Sequence, residues 1–207
     1  MTDKSLGIIF RTPEYGKVKK RLASETGHEM ALSIYKKMLF TTMQKALLLD
    51  NVEIYGFYDG RFPQDIALRY KKIILIPQRG KDLGEKLYNA ASYLYEKGYR
   101  KIVLIGADSP DLPVEYIQEA FSRLDSSDVV IGPSEDGGYY LIGMKRPEDY
   151  LFKDIPWGSP EVLKRTISKI EKQEPSYFLL PEWYDIDDLE RLRKWCPVKL
   201  QEETLTL

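Results

Sequence analysis

The sequence predicts a three-layer α/β domain built on a largely parallel sheet, and two observations carry that expectation. Short apolar runs, strand-like in length and in β-branched or aromatic content, recur at LGIIF 6–10, VEIYGFY 52–58, KIILIP 72–77, KIVLIGA 101–107, DVVIGP 128–133 and YYLIGM 139–144. Between most of them lie helical patterns whose apolar residues return every three or four positions, as in GHEMALSIYKKMLFTTMQKALLL 27–49 and LGEKLYNAASYLYEKGY 83–99. Alternation of this kind places parallel strands beside one another with helices on both faces. One link breaks the rule: SEDGG 134–138 is too short for a crossover helix, so the fifth and sixth runs are either antiparallel or outside the regular pattern.

Composition bounds the rest. The 207 residues, 43% of them hydrophobic, are enough for one substantial core and too few for two full domains, so residues 1–207 are read as a single domain. After Met144 the texture changes to the proline- and aromatic-rich KRPEDYLFKDIPWGSPEVL, a helical TISKIEKQ and then SYFLLPEWYDIDDLERLRKW, a strand, an acidic turn and a short helix. Residues 145–207 are accordingly expected to form an excursion covering one end of the sheet, with the tail QEETLTL frayed. Thirty-one basic and 32 acidic residues give a net charge of -1, which provides no global field for nucleic acid or an anionic membrane. Cys196 and His28 are the only residues of their kinds. Disulfides, cysteine-rich zinc sites and histidine metal cages are thereby set aside, leaving hard oxygen ligands. No run of about 18 apolar residues suggests a membrane span, and MTDKSLGIIF has no cleavage pattern; the expectation is a cytoplasmic protein.

In open α/β sheets ligands gather at the carboxyl ends of the strands, and polar motifs fall at such ends here. After the first strand, RTPEYGKVKKRL 11–22 bends through Pro13 and Gly16 and offers Arg11, Lys17, Lys19, Lys20 and Arg21, a set able to wrap a di- or triphosphate, although basic runs are also commonly solvated surface. After the third, QRGKDLGEKL 78–87 sets Gly80 and Gly84 about a turn opening a helix, whose amides suit a base edge or phosphate; Asp82 is also an ordinary N-cap. After the fourth, Asp108 needs a cation or several donors to compensate it, and a lone carboxylate completed by substrate phosphates suits Mg²⁺ or Mn²⁺. Asp111 either faces a ligand or supports a helix beginning at Pro113. In GPSEDGGYYLIGM 132–144, Gly137 and Gly138 allow close backbone approach, with Glu135 and Asp136 beside them as carboxylates able to act as a base; DGG is equally a common tight turn. Asp185, Asp187 and Asp188 precede the last helix. Capping uses one of them, and Asp187 completes a metal site with Asp108 if the excursion folds back over the sheet edge.

The ordered series P-x-x-G-x-V-K, D-L-G-E, G-A-D-S-P-D-L-P, E-D-G-G-Y-Y-L-I-G, W-G-S and D-I-D resembles the DUF2064 family over nearly the whole chain. Members of that family are described as glycosyltransferase-like proteins of the GT-A (nucleotide-diphospho-sugar transferase) fold, a three-layer α/β/α arrangement. The resemblance implies a sheet-based nucleotide site, a divalent ion held through Asp108, and a basic loop around Lys19 and Arg21 that meets the phosphates. The architecture is also similar to that of small nucleotidyltransferases. Metal-dependent transfer of a sugar from a nucleotide-diphospho-sugar to a small-molecule acceptor is therefore expected. The alternatives are nucleotidyl transfer from an NTP to a phosphorylated small molecule with pyrophosphate release, and nucleotide binding without turnover. On this reading Arg11, Gly16, Lys19, Arg21, Asp82 and Gly84 serve the nucleotide, Asp108 and Asp187 the Mg²⁺ or Mn²⁺, and Asp136 is the base. Asp111, Gly137, Gly138, Trp157 and Ser159 face the acceptor, with Trp157 equally readable as a core aromatic pinning the excursion. Nothing in the sequence specifies oligomeric state.

Overall fold

The computed structural model describes residues 2–196; the tail expected to fray lies outside them. A seven-stranded sheet contains β1 (Lys4–Arg11), β2 (Glu53–Asp59), β3 (Ile74–Pro77), β4 (Lys101–Gly106), β5 (Val129–Pro133), β6 (Tyr139–Met144) and β7 (Tyr177–Leu179), in the order β3-β2-β1-β4-β6-β5-β7. β1 pairs parallel with β2 and β4, β2 with β3, and β5 with β7. β6 runs antiparallel between β4 and β5, which resolves the ambiguity of the short SEDGG link: a turn without a crossover returns the chain beside itself.

The helices are α1 (Lys20–Thr26), α2 (His28–Ala46), α3 (Gln64–Arg69), α4 (Leu83–Glu96), α5 (Val114–Arg123), α6 (Val162–Gln173) and α7 (Leu189–Trp195). On one face of the sheet Leu39 and Met43 of α2, Ile66 of α3 and Ile117 and Phe121 of α5 pack with Leu6, Ile8 and Phe10 of β1. On the other, Leu87, Ala91 and Leu94 of α4 and Ile170 of α6 pack with Phe57, Ile102 and Leu104. The three layers follow directly, since β1 alternates its side chains between those two cores. A third cluster lies away from the sheet, where Leu22 and Ala23 of α1, Ile34 and Met38 of α2 and Leu192 of α7 close around Ile186. Through it the segment before α7 is fastened next to the basic loop. No helix among the described residues is long and apolar enough to cross a membrane.

Candidate functional site

The chain leaves β1 toward β2 and β3 on one side, then returns to place β4 on the other side of β1. Loops leaving β1 and β4 therefore diverge at their carboxyl ends, and a crevice opens at this switch point. It is a cleft of about 930 Å³ lined by the basic loop, the segment after β3, Asp108, Asp136, the 157–160 turn and two aspartates of the segment before α7. That volume matches the roughly 300–1,000 Å³ of small-molecule sites.

Lys19 lies at the centre of the basic-loop wall. Its ammonium is 2.8 Å from Asp108 Oδ1, 2.8 Å from Asp187 Oδ1 and 2.6 Å from the Ile186 carbonyl. Three oxygens thus match its three protons, and its side chain is only 5% exposed. Burial alone favours a neutral amine, but Asp108 and Asp187 outweigh it and hold the Lys19 pKa above the usual lysine value. Burial likewise works against an ionised Asp187, and Lys19, with Arg21 and Arg191 beyond it, overcomes this to keep the carboxyl below its ordinary range. The sequence assigned Lys19 to phosphate; in the structure its donors are already committed to the two carboxylates and a main-chain oxygen. Among the described residues no three His, Cys, Asp or Glu side chains gather as a metal cage. Asp108 and Asp187 nevertheless suit a hard divalent ion. Both meet the Lys19 ammonium through Oδ1, both line the cleft, and their side chains are 49% and 44% exposed.

Side chains alternate along Asp185-Ile186-Asp187. Ile186, fully buried, faces the third cluster, while both aspartates face the cleft. The Ile186 N–H donates to the Asp108 carbonyl at 2.9 Å, joining this segment to the end of β4. Asp185 accepts from the hydroxyls of Ser109 at 2.5 Å and Ser134 at 3.3 Å. Its pKa is raised to about 6, chiefly by burial and further by Asp108 and Asp136, against the Ser109 hydrogen bond and Lys19. Asp188 is the N-cap of α7, accepting from the Arg191 N–H.

Also lining the cleft, Asp59 at the end of β2 holds the Lys86 ammonium at 2.9 Å and the Arg11 Nε at 3.9 Å. The Tyr35 hydroxyl accepts from the Arg11 N–H and donates to the Arg11 carbonyl, fixing where β1 ends. Lys17, Lys20 and Arg21 of the basic loop line the cleft as well, and Lys81 and Lys86 extend its positive wall beyond that loop. Asp82 caps α4 through the Glu85 N–H at 2.9 Å and also borders the cleft. Gly16 forms the bend of the basic loop with φ 70°, outside the cleft lining. Gln78, Asp59 and Lys86 escaped sequence reasoning; Asp59 ends β2 and Gln78 follows β3, whereas Lys86 lies near the start of α4, within the same QRGKDLGEKL motif that Gln78 heads.

In the turn between β5 and β6, Asp136 Oδ1 accepts from the Gly138 N–H at 2.9 Å, and both residues line the cleft. Gly137, expected to face the acceptor, is not among the residues lining the cleft; at φ 85° it sits against the Pro160 carbonyl, where a Cβ would approach to 2.2 Å, and its carbonyl accepts from the Leu163 N–H. Trp157 and Ser159 border the cleft, Trp157 meeting Tyr139 edge-on at 6.0 Å. Gly84 packs beneath that tryptophan, where a Cβ would lie 2.4 Å from Trp157 Nε1 and 2.5 Å from the Phe152 carbonyl. Its small size serves this close approach. Asp111 does not line the cleft; it accepts from the Tyr184 hydroxyl and from Trp183 Nε1 at 3.3 Å, tying the loop before α5 to the segment before α7.

The strand order with one antiparallel insertion, and a cation-walled cleft at the switch point, define a protein of the nucleotide-diphospho-sugar transferase fold. The sequence profile of DUF2064, described as an uncharacterized protein conserved in bacteria, matches residues 42–159, and the chain belongs to this family. Among solved structures it is similar to a Desulfovibrio desulfuricans G20 protein provisionally named a nucleotide-diphospho-sugar transferase, with a TM-score of 0.88 and 29% identity over 98% of this chain and 90% of that one. The fold also recurs in a 4-diphosphocytidyl-2C-methyl-D-erythritol synthase from Anaerococcus prevotii DSM 20548, with a TM-score of 0.61 and 12% identity over 92% and 93% of the two chains. Rv0371c from Mycobacterium tuberculosis H37Rv, described in complex with manganese, has a TM-score of 0.56 and 12% identity over 96% and 100%. At 12% identity these two share the fold alone. No curated protein matches the chain significantly.

Proposed function

We propose that the protein transfers a sugar from a nucleotide-diphospho-sugar to a small-molecule acceptor, with the diphosphate bound in the cation-walled cleft. The observation that carries this reading is the pair Asp108 and Asp187, brought together by Lys19, half exposed and lining the same cleft as the cations. Asp108 and Asp187 would hold Mg²⁺ or Mn²⁺, which supplies neutralisation of charge on the departing diphosphate. The chain's own cations serve the same end. Arg11 and Lys86, steadied by Asp59, and Arg21 from α1 bind and orient phosphate oxygens, each charge-assisted contact stabilising by roughly 1.5–3 kcal/mol. Lys19 fixes the two carboxylates and holds the Asp187 carboxyl below its ordinary range. Asp136, with one oxygen occupied by its own turn, directs the other to an acceptor hydroxyl and takes its proton. Trp157 and Ser159 wall the acceptor.

One observation favours nucleotidyl transfer as a second reading. Six cations other than Lys19, namely Arg11, Lys17, Lys20, Arg21, Lys81 and Lys86, line one cleft, more than a diphosphate needs and enough for a triphosphate. Among the proteins sharing the fold, one is a CMP:2-keto-3-deoxy-manno-octonic acid synthetase described in complex with CTP. Ion-exchange analysis of products decides between them. Sugar transfer predicts slow release of nucleoside diphosphate from a nucleotide-sugar with Mn²⁺, water replacing the acceptor. Pyrophosphate from an NTP, with no diphosphate from any nucleotide-sugar, would replace the first reading by the second.

A further inference from the structure

Lys19 has two claims on it and one ammonium with which to meet them. Its place in the basic loop, between the cleft-lining Lys17, Lys20 and Arg21, puts it in the positive wall of the cleft. Its three protons are nonetheless spent on Asp108 Oδ1 at 2.8 Å, Asp187 Oδ1 at 2.8 Å and the Ile186 carbonyl at 2.6 Å. An ammonium so placed gains a phosphate contact only by giving up one of these oxygens. The loop cations beside it are under no such constraint. Lys17 pairs with Glu14 at 2.7 Å, and among the described residues neither Lys20 nor Arg21 forms an ion pair with Asp108 or Asp187.

Asp108 and Asp187 face the matching choice. The oxygens that Lys19 holds belong to the two residues suited to a hard divalent ion, and the ammonium lies between them. A doubly charged ion and an ammonium in contact with the same carboxylates would set like charges side by side. Lys19 reaches the pair on a flexible four-carbon stem, which permits a second position for its ammonium. Moving it also balances charge: two carboxylates receive two positive charges, and the one released goes to the phosphates. Resting on the reading that this pair holds Mg²⁺ or Mn²⁺ beside bound phosphate, we propose that Lys19 is an exchange residue. Its ammonium occupies the place of the divalent ion between Asp108 and Asp187, and ion binding hands it over to the phosphate. Metal and polyphosphate are thereby coupled through one side chain, each favouring the binding of the other.

Brief acylation of the wild-type protein with acetic anhydride, read by peptide mass spectrometry, follows the Lys19 ammonium directly. With its side chain 5% exposed, Lys19 should react far more slowly than the exposed Lys20. Saturating Mg²⁺, judged by its displacement of Mn²⁺ in electron paramagnetic resonance, should make Lys19 reactive, and inorganic tripolyphosphate added to the Mg²⁺-loaded protein should protect it again. Lys101, paired with Asp125 outside the cleft, should react alike throughout and so exclude general loosening. Mn²⁺ alone should bind Lys19→Met about tenfold or more tightly than wild type, the gain expected when a competitor is removed. Arg21→Met, which takes away a cleft cation not paired with either carboxylate, should gain much less. Lys19 reactivity that ignores saturating Mg²⁺, or equal gains in the two variants, overturns the exchange and leaves the metal pair in place. Reactivity that Mg²⁺ raises and tripolyphosphate does not lower overturns the hand-over to phosphate. Binding of neither Mn²⁺ nor Mg²⁺, with or without tripolyphosphate, overturns the metal pair and the exchange together. The acylation arm needs no variant, so it decides the matter even if Lys19→Met does not fold.

Discussion

Lys19 keeps its backbone in the left-handed region, φ 46° and ψ 54°, at the N-cap of α1. For a residue other than glycine that conformation costs about 1 kcal/mol or more, and it persists only where surroundings enforce it; here three oxygens around the ammonium do so. Lys19→Met should lower stability by about 2 kcal/mol near neutral pH, a value at the modest end for charged hydrogen bonds because both carboxylates are half exposed. The pH dependence has a definite sign. The raised pKa of Lys19 contributes stability present below its unfolded value of 10.5 and lost as pH rises through the folded value. The lowered pKa of Asp187 contributes stability present above 3.8 and lost as pH falls through its folded value. Urea titrations should therefore show the wild-type advantage over Lys19→Met greatest between those limits, and a gap that ignores pH would reduce Lys19 to packing. Asp185 behaves in the opposite sense. With its pKa raised to about 6 from 3.8, its ionisation costs folding stability progressively across that interval and by a constant amount above it. In chelator, Asp185→Asn should gain up to about 3 kcal/mol at pH 7.5, the arithmetic being 6 − 3.8 ≈ 2.2 units at ~1.36 kcal/mol each. That gain should disappear below pH 3.8. Equal shifts in melting temperature at pH 3.5 and 7.5 would show that Asp185 is not the buried, destabilised carboxylate described.

Elements meet at the site through close contacts that local sequence explains only in part. The start of α4 lies so near the 152–157 segment that Gly84→Ala puts a methyl 2.4 Å from Trp157 Nε1 and 2.5 Å from a backbone oxygen. Overpacking of this kind costs roughly 1–3 kcal/mol, and because the obstacle includes backbone it should move the tryptophan wall. A shift in Trp157 fluorescence, followed in a Trp183→Phe, Trp195→Phe background, reports the movement; an unchanged emission maximum would mean the wall does not rest on α4. The long elements were legible for a physical reason. α2 and α4 repeat apolar residues over many turns, and the core strands are uninterrupted apolar runs. α1 and α3, with seven and six residues, are too short for a period to emerge, and the cations of α1 read as part of a loop. Asp108 was legible because a carboxylate stands just beyond an apolar strand. The commitment of Lys19 to Asp187, 168 positions away, and of Gln78 to carbonyls of two other strands leaves no local pattern to read.

At the scale of the whole molecule, the site is assembled by docking the end of the described chain onto its beginning. Ile186 is fully buried among α1, α2 and α7, its N–H donates to the Asp108 carbonyl, and its own carbonyl receives Lys19. Arg191 adds a clasp from α7, reaching the Asp185 carbonyl at 3.2 Å and Glu135 Oε2 at 3.1 Å. The orientation of both cleft-facing aspartates thus depends on a hydrophobic side chain that points away from the cleft. Ile186→Ala should cost about 2–5 kcal/mol for the lost burial and the cavity left behind. It should also weaken Mn²⁺ binding, measured by electron paramagnetic resonance, although no ligand atom has been altered. Leu124→Ala provides the control, being equally buried but in the core under α5. It should destabilise comparably and leave Mn²⁺ affinity unchanged when both variants are titrated well below their melting temperatures. If the two lose affinity alike, the effect is general loosening; if neither does, Asp187 finds its place without the third cluster, and the docking of α7 contributes stability alone.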